Sequence, residues 1–333
     1  MNQYEHVLSA IKSASNIVIT AHKSPDGDSI GSSLGLSRFL KKLGKQAVVC
    51  QPDPTPAFLQ WLDTSEFLVM SEQPEDVRKA FEKADLVFCL DYNTTDRVGE
   101  EMQALLEHYS GKIVMIDHHL DPGDFATIRV SDTNASSTSE MIVELIEQTG
   151  NLDLLDVEMS IPLYLGIMTD TGSFRYPSTT SRTHEIVGKL LATGMPHHEI
   201  HEALSEDTTV SRLRLRAFAI DQKMEIIPEY GVSIISLTKE EMDQYDYQKG
   251  DTDNLVNVPL SIIGLNVSIL AKEGDGKVKL SFRSKGEGNA VNIFAAENFD
   301  GGGHERAAGG ISEESMDQVL TQIRNAIPRY FES

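Results

Sequence analysis

The sequence predicts an α/β protein: a parallel sheet flanked by helices, then a helical connector and a smaller α+β domain. Three observations lead there. Residues 16–21, 46–50, 85–90 and 112–116 are short, continuous apolar runs, as strands buried on both faces must be. Residues 29–43 and 74–83, lying between these runs, repeat apolar side chains at helical spacing, and such alternation of strand and helix builds a parallel sheet. The 333 residues exceed one ordinary domain, at ~150 residues each, so a second core is expected.

The later elements follow the same logic. Residues 137–148, 156–168, 180–193 and 208–222 read as helices, the last rich in Arg and Leu and suited to a connection. The texture changes near Met224. Residues 225–227, 232–237, 266–271 and 277–282 read as strands, with Gly274-Asp275-Gly276 as a hairpin turn, and 239–244, 290–298 and 314–329 as helices. The expected division is therefore 1–195, a connector over 196–222, and 223–333.

Composition excludes several function classes. With 29 Lys+Arg against 51 Asp+Glu the net charge is −22, which argues against coating long duplex nucleic acid, because that depends on neutralising many phosphates. No basic stretch followed by an apolar core opens residues 1–15, so no secretory signal is expected. The most apolar long stretch, 255–271, is broken by Asn257, Pro259, Ser261, Gly264 and Asn266, wrong for a membrane span. Cys50 and Cys89 each end an apolar run, where buried free thiols are expected, and a reducing cytoplasm fits.

The chemistry gathers at the strand ends. His22, Asp26 and Asp28 follow the first strand, Asp91 the third, and Asp117-His118-His119 the fourth, while Asp170 follows the apolar run 161–168. In open parallel sheets the ligand site lies outside the carboxyl ends of the strands, so these groups should converge. Four carboxylates cannot crowd together unpaired, and divalent cations remove that cost. The six ligands His22, Asp26, Asp28, Asp91, His118 or His119, and Asp170 are too many for one tetrahedral zinc and suit two metals ~3.5–4 Å apart, Mn²⁺ or Mg²⁺ by their carboxylate and imidazole character. Asp91, being central, is the natural bridge. Taken singly, each group has a plainer reading: Asp28, for example, could simply cap the helix over 29–43.

Asp117-His118-His119, with His22-x₃-Asp26-x-Asp28, Asp91 and Gly166-Ile-Met-Thr-Asp170-Thr-Gly, resembles the DHH phosphoesterase superfamily. Gly301-Gly302-Gly303-His304, preceded by Phe282-Arg283-Ser284, is similar to the DHHA1 substrate-binding domain. Length and layout resemble the group of nanoRNases (oligoribonucleases) and pAp phosphatases. The resemblance implies His22, Asp26 and Asp91 as ligands of one metal, and Asp28, Asp91, His118 and Asp170 as ligands of the other. It implies His119 at the scissile phosphate, assisting departure of the leaving oxygen, with Asp117 orienting the histidines and Arg97 reaching substrate phosphate. It also implies that the second domain closes over the cleft.

The second motif makes sense from its residues alone. Three consecutive glycines let a backbone approach an anion, and Arg283 can fork onto phosphate oxygens. His197, His198 and His201 put imidazoles one helical turn apart, but not in the order of a zinc protease, and read as a solvated helix face. Residues 26–35 are glycine-rich yet lack the Lys of a nucleotide P-loop.

The expected function is two-metal hydrolysis, with Mn²⁺ favoured and Mg²⁺ an alternative; the resemblance implies as substrates short RNA oligonucleotides, linear dinucleotides such as pGpG and pApA, and 3′-phosphoadenosine 5′-phosphate, converted to AMP. Exopolyphosphatase or pyrophosphatase-like chemistry and a RecJ-like single-strand exonuclease are the alternatives. No membrane partner is expected, and a homodimer is left open.

Overall fold

The computed structural model describes residues 3–205 and 208–331. The chain divides into two compact units, Met1–Asp207 and Thr208–Ser333, so the division falls inside the segment expected as a connector. The first unit contains α1 (Gln3–Ser13), β1 (Asn16–Ala21), α2 (Gly27–Lys42), β2 (Gln46–Gln51), β3 (Leu68–Val69), α3 (Pro74–Lys83), β4 (Leu86–Leu90), α4 (Glu100–His108), β5 (Lys112–Asp117) and β6 (Ile128–Ser131). It continues with α5 (Thr138–Gln148), α6 (Val157–Asp170), α7 (Ser181–Ala192) and α8 (His197–Ser205). Its sheet runs β3-β2-β1-β4-β5-β6, with every pairing parallel.

The continuous apolar runs are explained by burial on both faces. Ile17, Ile19, Phe88 and Leu90 enter one core, packed against α2, α5 and α6, while Val18, Val87 and Cys89 enter another on the opposite face. From β1 the chain steps outward to β2 and β3, then returns to the other side of β1 with β4. The switch point thus lies between the ends of β1 and β4, where side chains diverge and leave a crevice.

Helix α2 packs closely on α6 because its face is glycine. A methyl group on Gly31 would stand 2.3 Å from the Pro162 carbonyl oxygen, and one on Gly166 would stand 2.6 Å from Asp28 Oδ1. Gly166 therefore makes the space that the Asp28 carboxylate fills.

The second unit contains α9 (Val210–Asp221), β7 (Met224–Ile227), β8 (Val232–Leu237), α10 (Lys239–Asp243), β9 (Val267–Gly274), β10 (Lys277–Ser284), α11 (Val291–Asn298), β11 (Gly302–His304), β12 (Ala307–Ser312) and α12 (Met316–Tyr330). Its six strands order as β11-β12-β10-β9-β8-β7, antiparallel except for β8 with β9. Helix α9 packs there through Leu215 and Ala219, whereas α8 packs in the first unit through Ile200. Among the described residues no helix is long and apolar enough to cross a membrane. Cys50 and Cys89 are free and buried, and burial pushes both thiols up to about 12.

Candidate metal centre

The first residue past β1 is His22. Its Nδ1 lies 2.8 Å from the Lys23 carbonyl oxygen, which leaves Nε2 facing Asp91 Oδ2 at 3.3 Å and Asp26 Oδ2 at 3.6 Å. Asp26 also caps α2: its Oδ1 accepts the backbone N–H groups of Asp28 and Ser29. The cap is therefore Asp26 and not Asp28, a correction to the plainer reading of Asp28. Asp28 sits in the first turn, fully buried, and accepts the N–H groups of Thr138 at 2.6 Å and Ser139 at 2.8 Å. Those donors open α5, whose unpaired N–H groups are a natural seat for a carboxylate.

Asp91 follows β4 with φ of +63°, a left-handed conformation that Asp tolerates better than most residues and that recurs at functional sites. It is 2% exposed, and its two oxygens face different partners. Oδ2 faces His22, while Oδ1 lies 3.5 Å from His118 Nε2 and accepts the Thr138 hydroxyl at 3.1 Å. His118 Nε2 also stands 3.3 Å from Asp170 Oδ2, at the end of α6, and 4.0 Å from Asp28 Oδ2.

Two donor groups result, His22 with Asp26 and Asp91, and Asp28 with His118 and Asp170; Asp91 adjoins both. His119 forms a further group with Asp91 and His118, but its Nδ1 is 2.7 Å from Asp117 Oδ1, so Nε2 is the nitrogen left for a ligand. Asp117, fully buried, accepts both that ring N–H and the His119 backbone N–H, and in these contacts it orients His119 rather than His118.

The electrostatics are those of an overloaded anionic site. Among the described residues no Lys or Arg pairs with Asp26, Asp28, Asp91 or Asp170; their only charged neighbours of opposite sign are the imidazoles. Burial opposes charge on His22, yet Asp26 and Asp91 hold its pKa up to about 10, and Asp170 and Asp91 likewise hold His118 up to about 11. Burial, then repulsion from Asp91 and Asp170, pushes Asp28 well above the carboxylate range; burial and Asp91 push Asp170 up to about 6. For Asp91 burial is outweighed by His118 and His22, which hold it below its ordinary value. Hard oxygen donors in excess, with two imidazoles, fit divalent cations and could hold them.

The other expected residues are placed differently. Arg97 lies in the short turn Thr95–Val98 after β4; its carbonyl accepts Lys23 N–H at 2.8 Å, and among the described residues its guanidinium makes no ion pair. Gly302–His304 is an edge strand. A methyl on Gly303, at φ +142°, would stand 2.6 Å from the Ala307 carbonyl oxygen, and one on Gly301 would stand 2.3 Å from that of Gly309. These two glycines are required by the approach of β12. Ser284 is buried and its hydroxyl donates to the Asn289 carbonyl at 2.6 Å, so what it offers is order in the 285–289 turn. Arg283 lies on the opposite face of β10. His197 and His198 are exposed on α8 as expected, but His201 Nε2 lies 2.9 Å from the Tyr164 hydroxyl, so that face is only partly solvated.

Residues 16–167 match the DHH family N-terminal domain and residues 229–333 match the DHHA1 domain. Over 99% of its length the chain is 31% identical to a bifunctional oligoribonuclease and PAP phosphatase NrnA from Thermus thermophilus, covering 95% of that protein. The chain belongs to the DHH family. The NrnA of Bacillus subtilis is 28% identical over 92% of this DHH-family chain and 93% of that protein. The crystal structure of an exopolyphosphatase-related protein from Bacteroides fragilis superposes with a TM-score of 0.91 at 37% identity, covering 98% of this chain and 96% of that one. As in the sequence expectation, the DHH domain is a parallel sheet flanked by helices and the DHHA1 domain a smaller mixed one.

Proposed function

We propose that this chain is a metal-dependent phosphoesterase that hydrolyses short RNA oligonucleotides, linear dinucleotides such as pGpG and pApA, and 3′-phosphoadenosine 5′-phosphate to AMP. The observation that carries the reading is Asp91, whose two oxygens face two separate His and Asp donor groups. Near-full-length likeness to relatives named as oligoribonuclease and PAP phosphatase supports the substrate class. The donor set favours two ions, Mn²⁺ before Mg²⁺, held by His22, Asp26 and Asp91 and by Asp28, Asp91, His118 and Asp170. Bound there, such ions supply Lewis acidity toward phosphoryl oxygens. His119, fixed by Asp117, presents Nε2 for a proton at the leaving oxygen. Arg97 and Arg283 take substrate phosphates, with the backbone of Gly301, Gly302, Gly303 and His304 beside Arg283's strand pair. Two buried free thiols favour the cytoplasm.

The test is a ladder of 5′-labelled RNA from dimer upward, with Mn²⁺, beside 3′-phosphoadenosine 5′-phosphate and polyphosphate. Short RNA and the bisphosphate should be turned over; polyphosphate cleaved faster than either would replace this reading with an exopolyphosphatase.

A second expectation concerns protons. In the metal-free protein His22 and His118 carry raised pKa values, about 10 and about 11, so both are charged at ~pH 8 and must release a proton to bind metal through Nε2. Titrating Mn²⁺ into metal-free protein should therefore give heats that depend on the ionisation enthalpy of the buffer; buffer-independent heats would remove these histidines from the ligand set. The sign for stability follows. Raised histidine pKa values stabilise the metal-free fold fully below 6.5, the ordinary value, and that contribution is lost as pH rises through about 10.

A further inference from the structure

The face of the second sheet turned away from the core that α11 and α12 cover carries Lys272 and Lys279, two cations that the proposed site does not use, at the margin of the cluster that α9 covers. Along β10, Val278, Leu280 and Phe282 point into the core, while Lys279, Ser281 and Arg283 point the other way. In the register with β9, Lys279 lies directly opposite Lys272, and Arg283 opposite Ser268. Lys272, Lys279 and Arg283 line one cavity of about 440 Å³ with Thr252, Asp253 and Asn254.

Like charges set directly across a strand pair are unfavourable, so this pairing calls for a compensating anion. Half-buried Lys272 has none among the described residues. Its Nζ donates to the Tyr247 hydroxyl at 3.0 Å and to Thr252 Oγ1 at 2.8 Å and stands 5.2 Å from the Tyr247 ring centroid. Both hydrogen-bond partners are neutral, and an ammonium has a third N–H to give. Lys279 pairs with Asp275 at 2.9 Å, but both side chains are largely exposed and the pair is screened. Asp253 is the carboxylate on the lining itself, and its backbone carbonyl is tied to the Arg216 guanidinium at 2.8 Å. Three cations against that one lining carboxylate stand out in a chain of net charge −22.

We propose that Lys272 and Lys279 form a second phosphate-binding subsite, beyond Arg283, for the backbone of an RNA substrate. This rests on the reading that Arg283 holds a substrate phosphate. Arg283 lies four residue steps along β10 from Lys279, a span of about 13 Å. At roughly 3.4 Å of rise per stacked nucleotide that is about four nucleotides, and fewer for a stretched strand. The two phosphates of a bisphosphate nucleoside lie closer together than that span, so one held at Arg283 engages the pair less fully than the backbone of an RNA of about three to five residues. The subsite therefore selects substrate length.

The measurement is KM for an RNA pentamer and for 3′-phosphoadenosine 5′-phosphate, with Mn²⁺, in the full chain and in Lys279→Gln, Lys272→Met and Arg283→Ala. Lys279 is exposed, so its replacement leaves the fold intact; Lys279→Arg controls for charge alone. Lys279→Gln should raise the ratio of pentamer KM to bisphosphate KM about tenfold, the worth of one charge-assisted contact. It should also flatten the dependence of log KM on log salt for the pentamer by about 0.7. Lys279→Arg should restore both. An unchanged ratio in Lys279→Gln and Lys272→Met overturns the subsite and leaves Arg283 standing. An Arg283→Ala variant with unaltered KM for both substrates overturns the subsite together with the reading beneath it.

Discussion

Replacing Asp91 by alanine should lower metal-dependent turnover by about 10³-fold or more and strip metal from the protein. The reason is placement. Asp91 Oδ2 faces His22 and Oδ1 faces His118, so its loss opens both donor groups at once, whereas any other ligand belongs to one of them. Removing it also removes the one carboxylate that both imidazoles share, leaving Asp26 to His22 and Asp170 to His118, so both histidines titrate at lower pH in the variant. Because Asp91 occupies a left-handed turn, Asp91→Asn is the companion variant that keeps backbone preference and loses charge. His119→Ala makes the contrast. Its Nδ1 is committed to Asp117 and it lies at the edge of the cluster, so metals should remain while kcat falls by about 10²–10⁴-fold. Asp117→Asn should cost less than either, about 10–100-fold, through loss of ring orientation. Metal content by mass spectrometry of dialysed protein, beside kcat, separates the three; two ions retained in Asp91→Ala would end the bridging assignment.

How much of this was legible depends on which atoms act. His22, Asp26, Asp28, Asp91, Asp117, His118 and His119 stand out because strands buried on both faces are largely apolar, so the charged residues at and just beyond their carboxyl ends mark the crevice, while Asp170 stands out as the acid that ends the apolar helix α6. Thr138 and Ser139 were not legible. They hold Asp28 through backbone N–H groups, which leave no signature in residue type; the Ser-rich run 136–139 before an apolar helix signals only the helix start. Gly166 contributes empty space, equally silent. Two acids stand at the start of α2, and sequence alone cannot tell the cap, Asp26, from the buried carboxylate, Asp28, because the choice is made by α5 packing across from them. Strands β11 and β12 are built largely from Gly and Ala, with little β-propensity, and exist because β10 offers them a partner. Strand β6 is four residues long with only Val130 buried, too short for a periodic signal.

Arg283→Ala should raise KM for short RNA and for 3′-phosphoadenosine 5′-phosphate far more than it lowers kcat. Arg283 lies in the second unit, on the cavity-lining face of β10, with its guanidinium donating to the Phe282 carbonyl at 2.9 Å and its remaining N–H groups left for oxygen ligands. A charge-assisted phosphate contact there is worth about 2–4 kcal/mol when water is excluded, or about 30- to 1000-fold in KM. Metal content should stay unchanged, since no donor of the His and Asp cluster belongs to that unit. The same reasoning bounds substrate length. A chain with 51 acidic and 29 basic residues has a net charge of −22 and offers no extended basic track, so affinity concentrates in the first few nucleotides and further length adds repulsion without contacts. Dimers to pentamers should therefore exceed a 24-mer in kcat/KM, with the advantage shrinking as salt screens the repulsion. A 24-mer processed equally well or better would sink the short-oligonucleotide assignment and favour a longer-strand exonuclease.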